Sequence, residues 1–156
     1  MRPFTPDDAE AWHAIWGDPE VIWWGASDSF EKSRDGLVRL IEREATWPDG
    51  VGWLAVCRRG EDEIIGDVLL QPGPFPPGIE IGWHFRRHAW GNGYATEAAR
   101  AVLERGFAED MFDRIYALVA RHNARSLRVV EKLGMVEERE VDYAGLPHLL
   151  FAVERP

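Results

Sequence analysis

The stretch Ala89-Trp90-Gly91-Asn92-Gly93-Tyr94-Ala95-Thr96-Glu97-Ala98 joins two segments of different periodicity. Before it, Ile79-Glu80-Ile81-Gly82-Trp83-His84-Phe85 alternates apolar and other residues as a strand does. After it, Thr96 to Phe107 is Ala-rich and reads as a helix. Gly91 and Gly93 let the backbone take positive φ and leave no Cβ between the peptide groups and a ligand. Amides at the helix start then converge on one anion, and the helix dipole adds attraction. Strand, glycine turn and helix start together predict a phosphate cradle. A nucleotide P-loop is excluded, because no Lys-Ser or Lys-Thr follows Gly93. A dinucleotide fingerprint fits poorly: Thr96 holds its third glycine position, and the turn follows a hairpin rather than opening a βαβ unit.

Working outward toward the N-terminus, Pro72-Gly73-Pro74-Phe75-Pro76-Pro77-Gly78 reads as an exposed loop that continues no strand. Val51 to Arg58 and Glu63 to Leu70 are predicted strands joined through Arg59-Gly60-Glu61-Asp62 as a hairpin. Ser27-Asp28-Ser29 caps a helix whose Phe30, Leu37, Leu40 and Ile41 share a face. Thr5-Pro6-Asp7-Asp8 opens an earlier helix carrying Ala9, Trp12, Ile15 and Trp16 on one side, after a short leading strand at Arg2 to Phe4. Toward the C-terminus, Ile115 to Ala120 is a strand, and Asn123 to Leu133 a helix with Leu127, Val130 and Leu133 inward and Gly134 just past its end. Met135 to Val141 and Leu149 to Val153 close the sheet as a pair. The order of elements predicts one α/β (α+β) domain over residues 1–156, with a mixed sheet and helices on both faces.

A formal net charge of −9 argues against nucleic acid or an anionic membrane as partner and is compatible with a cationic acceptor. Cys57 is the only cysteine, so there is no intrachain disulfide framework, and the thiol is expected to be buried and inert in an apolar strand. Neither a leader nor a spanning apolar run is read, which makes the cytoplasm the expected location. No metal site is expected, and the chain is expected to be a monomer or a homodimer.

Two separated motifs carry a resemblance. The strand and turn from Ile79 to Ala98, and the later Asn123-Ala124-Arg125-Ser126 to Glu131-Lys132-Leu133-Gly134-Met135, resemble the GNAT acetyltransferases. Within that family they are most similar to the ribosomal-protein N-terminal (alanine/serine) acetyltransferases, and the likeness extends over almost the whole chain. It implies the GNAT fold, with a splayed strand pair in the sheet, and acetyl-CoA as co-substrate. It further implies that backbone amides of Gly91, Asn92, Gly93, Tyr94 and Ala95 hold the pyrophosphate, with Trp90 at the edge of the turn. Trp83, His84 and Phe85 would pair their main chain with the pantetheine arm, and Asn123 and Ser126 match family positions that bind CoA. Asn123 and Ser126 also read as an N-cap and a first-turn residue, which needs no ligand. The family carries Arg or Gln, two residues, then Gly-x-Gly or Gly-x-Ala. Counted to Gly91-Asn92-Gly93, His88 stands at the Arg/Gln place, with Arg86 and Arg87 before it.

The reaction implied is direct acetyl transfer to a primary amine, either a protein N-terminus or a small amine. Glu80 is the candidate base, acting through water. A main-chain amide near Trp83 or His84 is the candidate donor to the thioester carbonyl. Trp23 and Trp24 are candidates for holding a cationic amine by cation–π attraction; being adjacent, they are not both expected to face inward. Val130 stands where many relatives have a tyrosine acid. Tyr94, Tyr116, Tyr143 and His148 remain as alternative acids. The missing tyrosine also motivates a rival reading, a catalytically silent domain that binds acyl-CoA.

Overall fold

Every residue from Ile64 to Leu70 is buried, on both sides of its strand, so this segment is covered on two faces. It lies inside a seven-stranded sheet of the computed structural model, which describes all residues except 76–77, 109–110 and 144. Along the described chain run β1 (Arg2–Pro3), α1 (Ala9–Trp16), α2 (Phe30–Glu44), β2 (Gly52–Cys57), β3 (Ile64–Pro72) and β4 (Ile79–Phe85). They are followed by α3 (Tyr94–Ala108), β5 (Arg114–Ala120), α4 (Ala124–Lys132), β6 (Val136–Tyr143) and β7 (Leu146–Glu154). The strand order is β1-β2-β3-β4-β5-β7-β6. Every neighbouring pair is antiparallel except β4 with β5.

Side-chain alternation sorts the core into two layers. Trp53, Ala55, Ile64 and Leu69 face α1 and α2 and pack on Trp12, Ile15, Leu37 and Leu40. Val56, Ile65, Val68, Leu70, Ile81 and Phe85 face the other way, onto Ala98, Ala99, Val102 and Leu103 of α3 and Val130 of α4. The helices predicted on both faces are therefore present, and the predicted mixed sheet with them.

The parallel pair is where the sheet opens. β4 and β5 match only at Ile79↔Ile115 and Glu80↔Tyr116. Beyond that point β4 stays with β3 as far as Gly66↔Phe85, while β5 stays with β7 as far as Ala120↔His148. Each strand is held by its outer neighbour, so the inner edges of residues 81–85 and 117–120 part and leave main-chain groups facing a gap. This is the splayed pair that the resemblance implied. A side-chain bridge spans the gap from β4 to α4, the helix after β5, with Trp83 Nε1 donating to Ser126 Oγ at 3.3 Å.

Some details differ from the sequence reading. β3 runs through Pro72, which pairs with Ile79 as the last rung, where the lost proline N–H matters least. The loop follows it, and Pro76 and Pro77 fall outside the described residues. β7 starts at Leu146, three residues before its predicted start, because β6 and β7 continue pairing to Tyr143↔Leu146. Phe30 is exposed instead of inward: at the first position of α2 it reaches only the edge of the His13 ring, 5.8 Å between centroids. Cys57 is half-buried instead of fully buried: at the end of β2, beside the register shift between Val56 and Cys57, it packs on the margin of the α1–α2 core layer.

Candidate active site

The glycine turn forms an open concave end to α3. Gly91 and Gly93 have φ of +79° and +85°, and a Cβ at either would meet no protein atom within 4 Å. The first helical donor is Glu97 N, to Gly93 O at 3.0 Å. The amides of Tyr94, Ala95 and Thr96 thus precede the first intrahelical bond and have no acceptor in the helix. Asn92 stiffens the turn: its Nδ2 donates to Ala89 O at 3.2 Å and Trp90 O at 3.0 Å, which turns the side chain back on the loop. Trp90 donates its Nε1 to Phe85 O at 2.6 Å, and the Arg125 guanidinium lies 4.0 Å from the centre of its ring. Arg125, from α4, sets a cation beside the cradle that the sequence did not single out. The open space that a side chain at Gly91 or Gly93 would fill, faced by free amides and flanked by a guanidinium, suits a pyrophosphate.

His88 is not part of this cradle. Its exposed ring turns to Glu63 at 3.4 Å, and it does not line the cleft. Counted to Gly93-Tyr94-Ala95 instead, the Arg/Gln place falls on Trp90, whose ring does line it. Arg86 pairs with Glu63 at 2.9 Å, and Arg87 with Asp18 at 2.8 Å and Glu20 at 2.7 Å. Arg87 therefore ties the segment carrying Trp23 and Trp24 to the root of the glycine turn. Asn123 is the N-cap of α4, its Oδ1 accepting from Ser126 N at 3.2 Å, while the Ser126 hydroxyl takes the bond from Trp83. Both residues border the splayed gap, so the cap and the lining coincide.

A cleft of about 1700 Å³ joins the cradle, the gap and the sheet face beside α1. That exceeds the roughly 300–1,000 Å³ common for one small ligand and leaves room for two. On this face β4 presents Glu80, Gly82 and His84 in alternation, as expected. Glu80 Oε2 accepts from Gln71 Nε2 at 3.1 Å, and Gln71 Oε1 accepts from Trp53 Nε1 at 3.2 Å. Burial pushes the Glu80 carboxyl above the ordinary glutamate value; the Gln71 hydrogen bond and the neighbouring His84 and His148 partly offset it. Trp23 and Trp24 both line the cleft, in different directions. Trp23 sits against His122 at 4.5 Å and is stacked with His148 at 6.5 Å, whereas Trp24 faces His84 at 5.7 Å.

Among the alternative acids, Tyr116 is sealed off. It is fully buried, its hydroxyl accepts from Phe75 N at 3.2 Å, and burial pushes its pKa up to about 12. Tyr143 and His148 line the cleft with rings 5.7 Å apart. Val130 is buried in the core, so it leaves the usual tyrosine position without a proton donor.

Asp67, which contacts the cleft-lining His84, is a residue that the sequence reading does not single out. It is fully buried on β3, directly across from His84 on β4. Asp67 Oδ1 lies 2.8 Å from His84 Nδ1, and Asp67 Oδ2 accepts from Trp16 Nε1 at 3.1 Å. Around the imidazole stand Trp16, Trp24 and Trp53, at 4.7, 5.7 and 5.9 Å. A clue is present in Ile64-Ile65-Gly66-Asp67-Val68-Leu69-Leu70, where Asp67 is the lone charge in an apolar strand. Such a residue calls for a buried partner.

The split parallel strand pair with an open glycine turn at its mouth is the framework of an acyltransferase fold. The chain belongs to the GNAT acetyltransferases: the family model described as an acetyltransferase (GNAT) domain matches residues 1–136. It is 36% identical over 135 residues to the uncharacterised protein YkkB of Bacillus subtilis, across 83% of this chain and 76% of that one. It is similar in structure to a GNAT-family acetyltransferase from Bacillus anthracis, with a TM-score of 0.82 and 28% identity over 99% of this chain and 93% of that one. Its fold is also that of the ribosomal-protein-S5-alanine acetyltransferase from Vibrio fischeri, with a TM-score of 0.78 at 20% identity over 99% and 91% of the two chains. It is thus an acetyl-CoA-dependent N-acetyltransferase. Among the described residues no helix is long and apolar enough to cross a membrane, and no cluster of three His, Cys, Asp or Glu could hold a metal.

Proposed function

We propose that this enzyme transfers acetyl directly to a primary amine, a protein N-terminus or a small amine, seated between Trp23, Trp24 and Glu80. The observation that supports this most is the continuity of the cleft: the cradle and the free edge of β4 open onto the face that carries Glu80. Acetyl-CoA supplies an acetyl group already activated as a thioester. The amides of Gly91 to Ala95 hold its pyrophosphate, with Arg125 nearby. The main chain of Trp83, His84 and Phe85 pairs with the pantetheine arm as an added strand, and an amide near Trp83 or His84 polarises the carbonyl. Glu80 takes a proton from the attacking amine through water. Cys57 lies at the end of β2 beside Asp62 and does not line the cleft, so no acetyl-enzyme is invoked.

A thiol-release assay with acetyl-CoA and a panel of amines, including peptides with free N-termini, tests this reading. Acceptor-dependent release is expected. Tight acetyl-CoA binding without release by any amine would favour a silent binding domain. Within the same assay, Trp23→Ala and Trp24→Ala are each expected to raise the acceptor KM about 2- to 30-fold, the equivalent of roughly 0.5–2 kcal/mol of cation–π attraction. Acetyl-CoA affinity, read by calorimetry, should stay unchanged in both. An unaltered acceptor KM in both variants would remove the tryptophans from the acceptor site.

A further inference from the structure

An ammonium acceptor gives up two protons on becoming an amide: one ends on the released thiol and the other passes to solvent. Glu80 accounts for one of these transfers. With Val130 in the core and Tyr116 sealed under Phe75, neither of those positions handles the second. The same sheet face carries another group built for it.

The carboxylate of Asp67 is acceptor-only, and both of its oxygens are engaged by ring nitrogens, Trp16 Nε1 and His84 Nδ1. An indole N–H is a donor only, so Trp16 fixes Oδ2 as an acceptor. Oδ1 in turn fixes the neutral imidazole in the form with its proton on Nδ1 and its lone pair on Nε2. The ring lines the cleft, beside Trp24 and Trp16. It stands on the strand whose free edge borders the gap, two residues beyond Gly82 and four beyond Glu80. Three tryptophan rings limit its rotation.

We propose that His84 is a second catalytic residue of this cleft, with Asp67 as its positioning residue; this rests on the acetyltransferase reading above. His84 Nε2 takes one proton from the incoming ammonium and becomes an imidazolium paired with Asp67. The amine nitrogen forms the bond to the acetyl carbon, and its second proton goes through water to Glu80 and then to solvent. As the carbon–sulfur bond breaks, the electron pair leaves on sulfur, and the imidazolium returns its proton there. The balance is one ammonium and one thioester consumed, and one amide, one thiol and one solvent proton produced.

Asp67→Asn separates this role from a purely structural one. Because Trp16 requires an acceptor at Oδ2, the new amide oxygen must sit there, which places the amide NH₂ against His84 Nδ1. The imidazole is then forced into the form protonated on Nε2, which cannot accept. Imidazole ¹⁵N shifts are expected to report the Nδ1–H form in the native enzyme and the Nε2–H form in Asp67→Asn. Turnover should fall about 10²-fold or more, with acetyl-CoA affinity within twofold of native. His84→Ala should lose turnover similarly, and added imidazole should restore a measurable part of it without changing the melting temperature. Native turnover in folded His84→Ala, or the Nε2–H form already present in the native enzyme, would overturn the dyad and leave the acetyltransferase reading standing. A native enzyme that binds acetyl-CoA but acetylates no amine would overturn both.

Discussion

Glu80→Gln is expected to lower kcat about 10²–10⁴-fold while leaving the acetyl-CoA dissociation constant unchanged, the range typical for loss of a positioned general base. The substitution is nearly isosteric, and its amide oxygen can still accept from Gln71 Nε2, the partner at 3.1 Å in the native structure. What is removed is the ability to take a proton. Burial already lifts the Glu80 carboxyl above its ordinary value of 4.5, which moves it toward the pH at which a base both stays ionised and holds a proton well. Wild-type turnover at saturating acceptor across the pH range would remove Glu80 from the mechanism.

The same shift has a consequence for stability, of opposite sign. A carboxyl with a raised folded-state pKa binds its proton more tightly in the folded chain than in the unfolded one. Its folded-state advantage is present below the unfolded value and is lost as pH rises through the folded value. At neutral pH the native enzyme therefore carries the cost of an ionised, half-buried carboxylate, and Glu80→Gln does not. The variant should melt above the native enzyme near about pH 8 and converge with it near about pH 4. A catalytic residue held at the expense of stability is expected to behave this way, and a surface carboxylate is not. Equal melting temperatures at about pH 8 would show that burial does not strain Glu80.

Features that depend on neighbours in sequence are legible in the chain alone. The alternation of Ile79 to Phe85 matches β4 in full, because a half-buried strand writes its two faces directly into the chain. The Asn123 cap and the Gly91–Gly93 turn are likewise local, set by one side chain and two positive φ angles. Features that depend on register are not legible in this way. Asp67 meets His84 only because β3 and β4 pair in one particular alignment, and Trp16 joins them only because α1 lies across that face. Arg125 stacks on Trp90 only when α4 is folded against the turn. The orientation of the Arg/Gln place is likewise set by the fold: Trp90 lines the cleft, while the His88 side chain turns outward to Glu63. Trp23 and Trp24 show the limit of a one-dimensional argument. Adjacent residues point apart, yet a cleft that wraps around their segment meets both.

The cradle itself predicts the second large effect. Gly93→Val should weaken acetyl-CoA binding about 10²-fold or more, read by calorimetry on the folded variant. A Cβ at position 93 meets no protein atom within 4 Å, so added carbons enter the space assigned to the pyrophosphate instead of the core. A charge-assisted hydrogen bond contributes about 1.5–3 kcal/mol, so displacing two of them suffices for this loss. Backbone strain is a competing cause, because φ is +85° at Gly93 and a β-branched residue disfavours that region. Gly60 separates the two. It has φ of +79° in the turn between β2 and β3, a Cβ there would also meet no atom within 4 Å, and it does not line the cleft. Gly60→Val should therefore lower the melting temperature by a similar amount while leaving acetyl-CoA affinity intact. If both variants lose affinity equally, strain and not the cradle governs binding; if neither does, the pyrophosphate is held elsewhere. Loss confined to Gly93→Val would tie the anion to the mouth of the split strands, where the chain sets free amides at the start of α3.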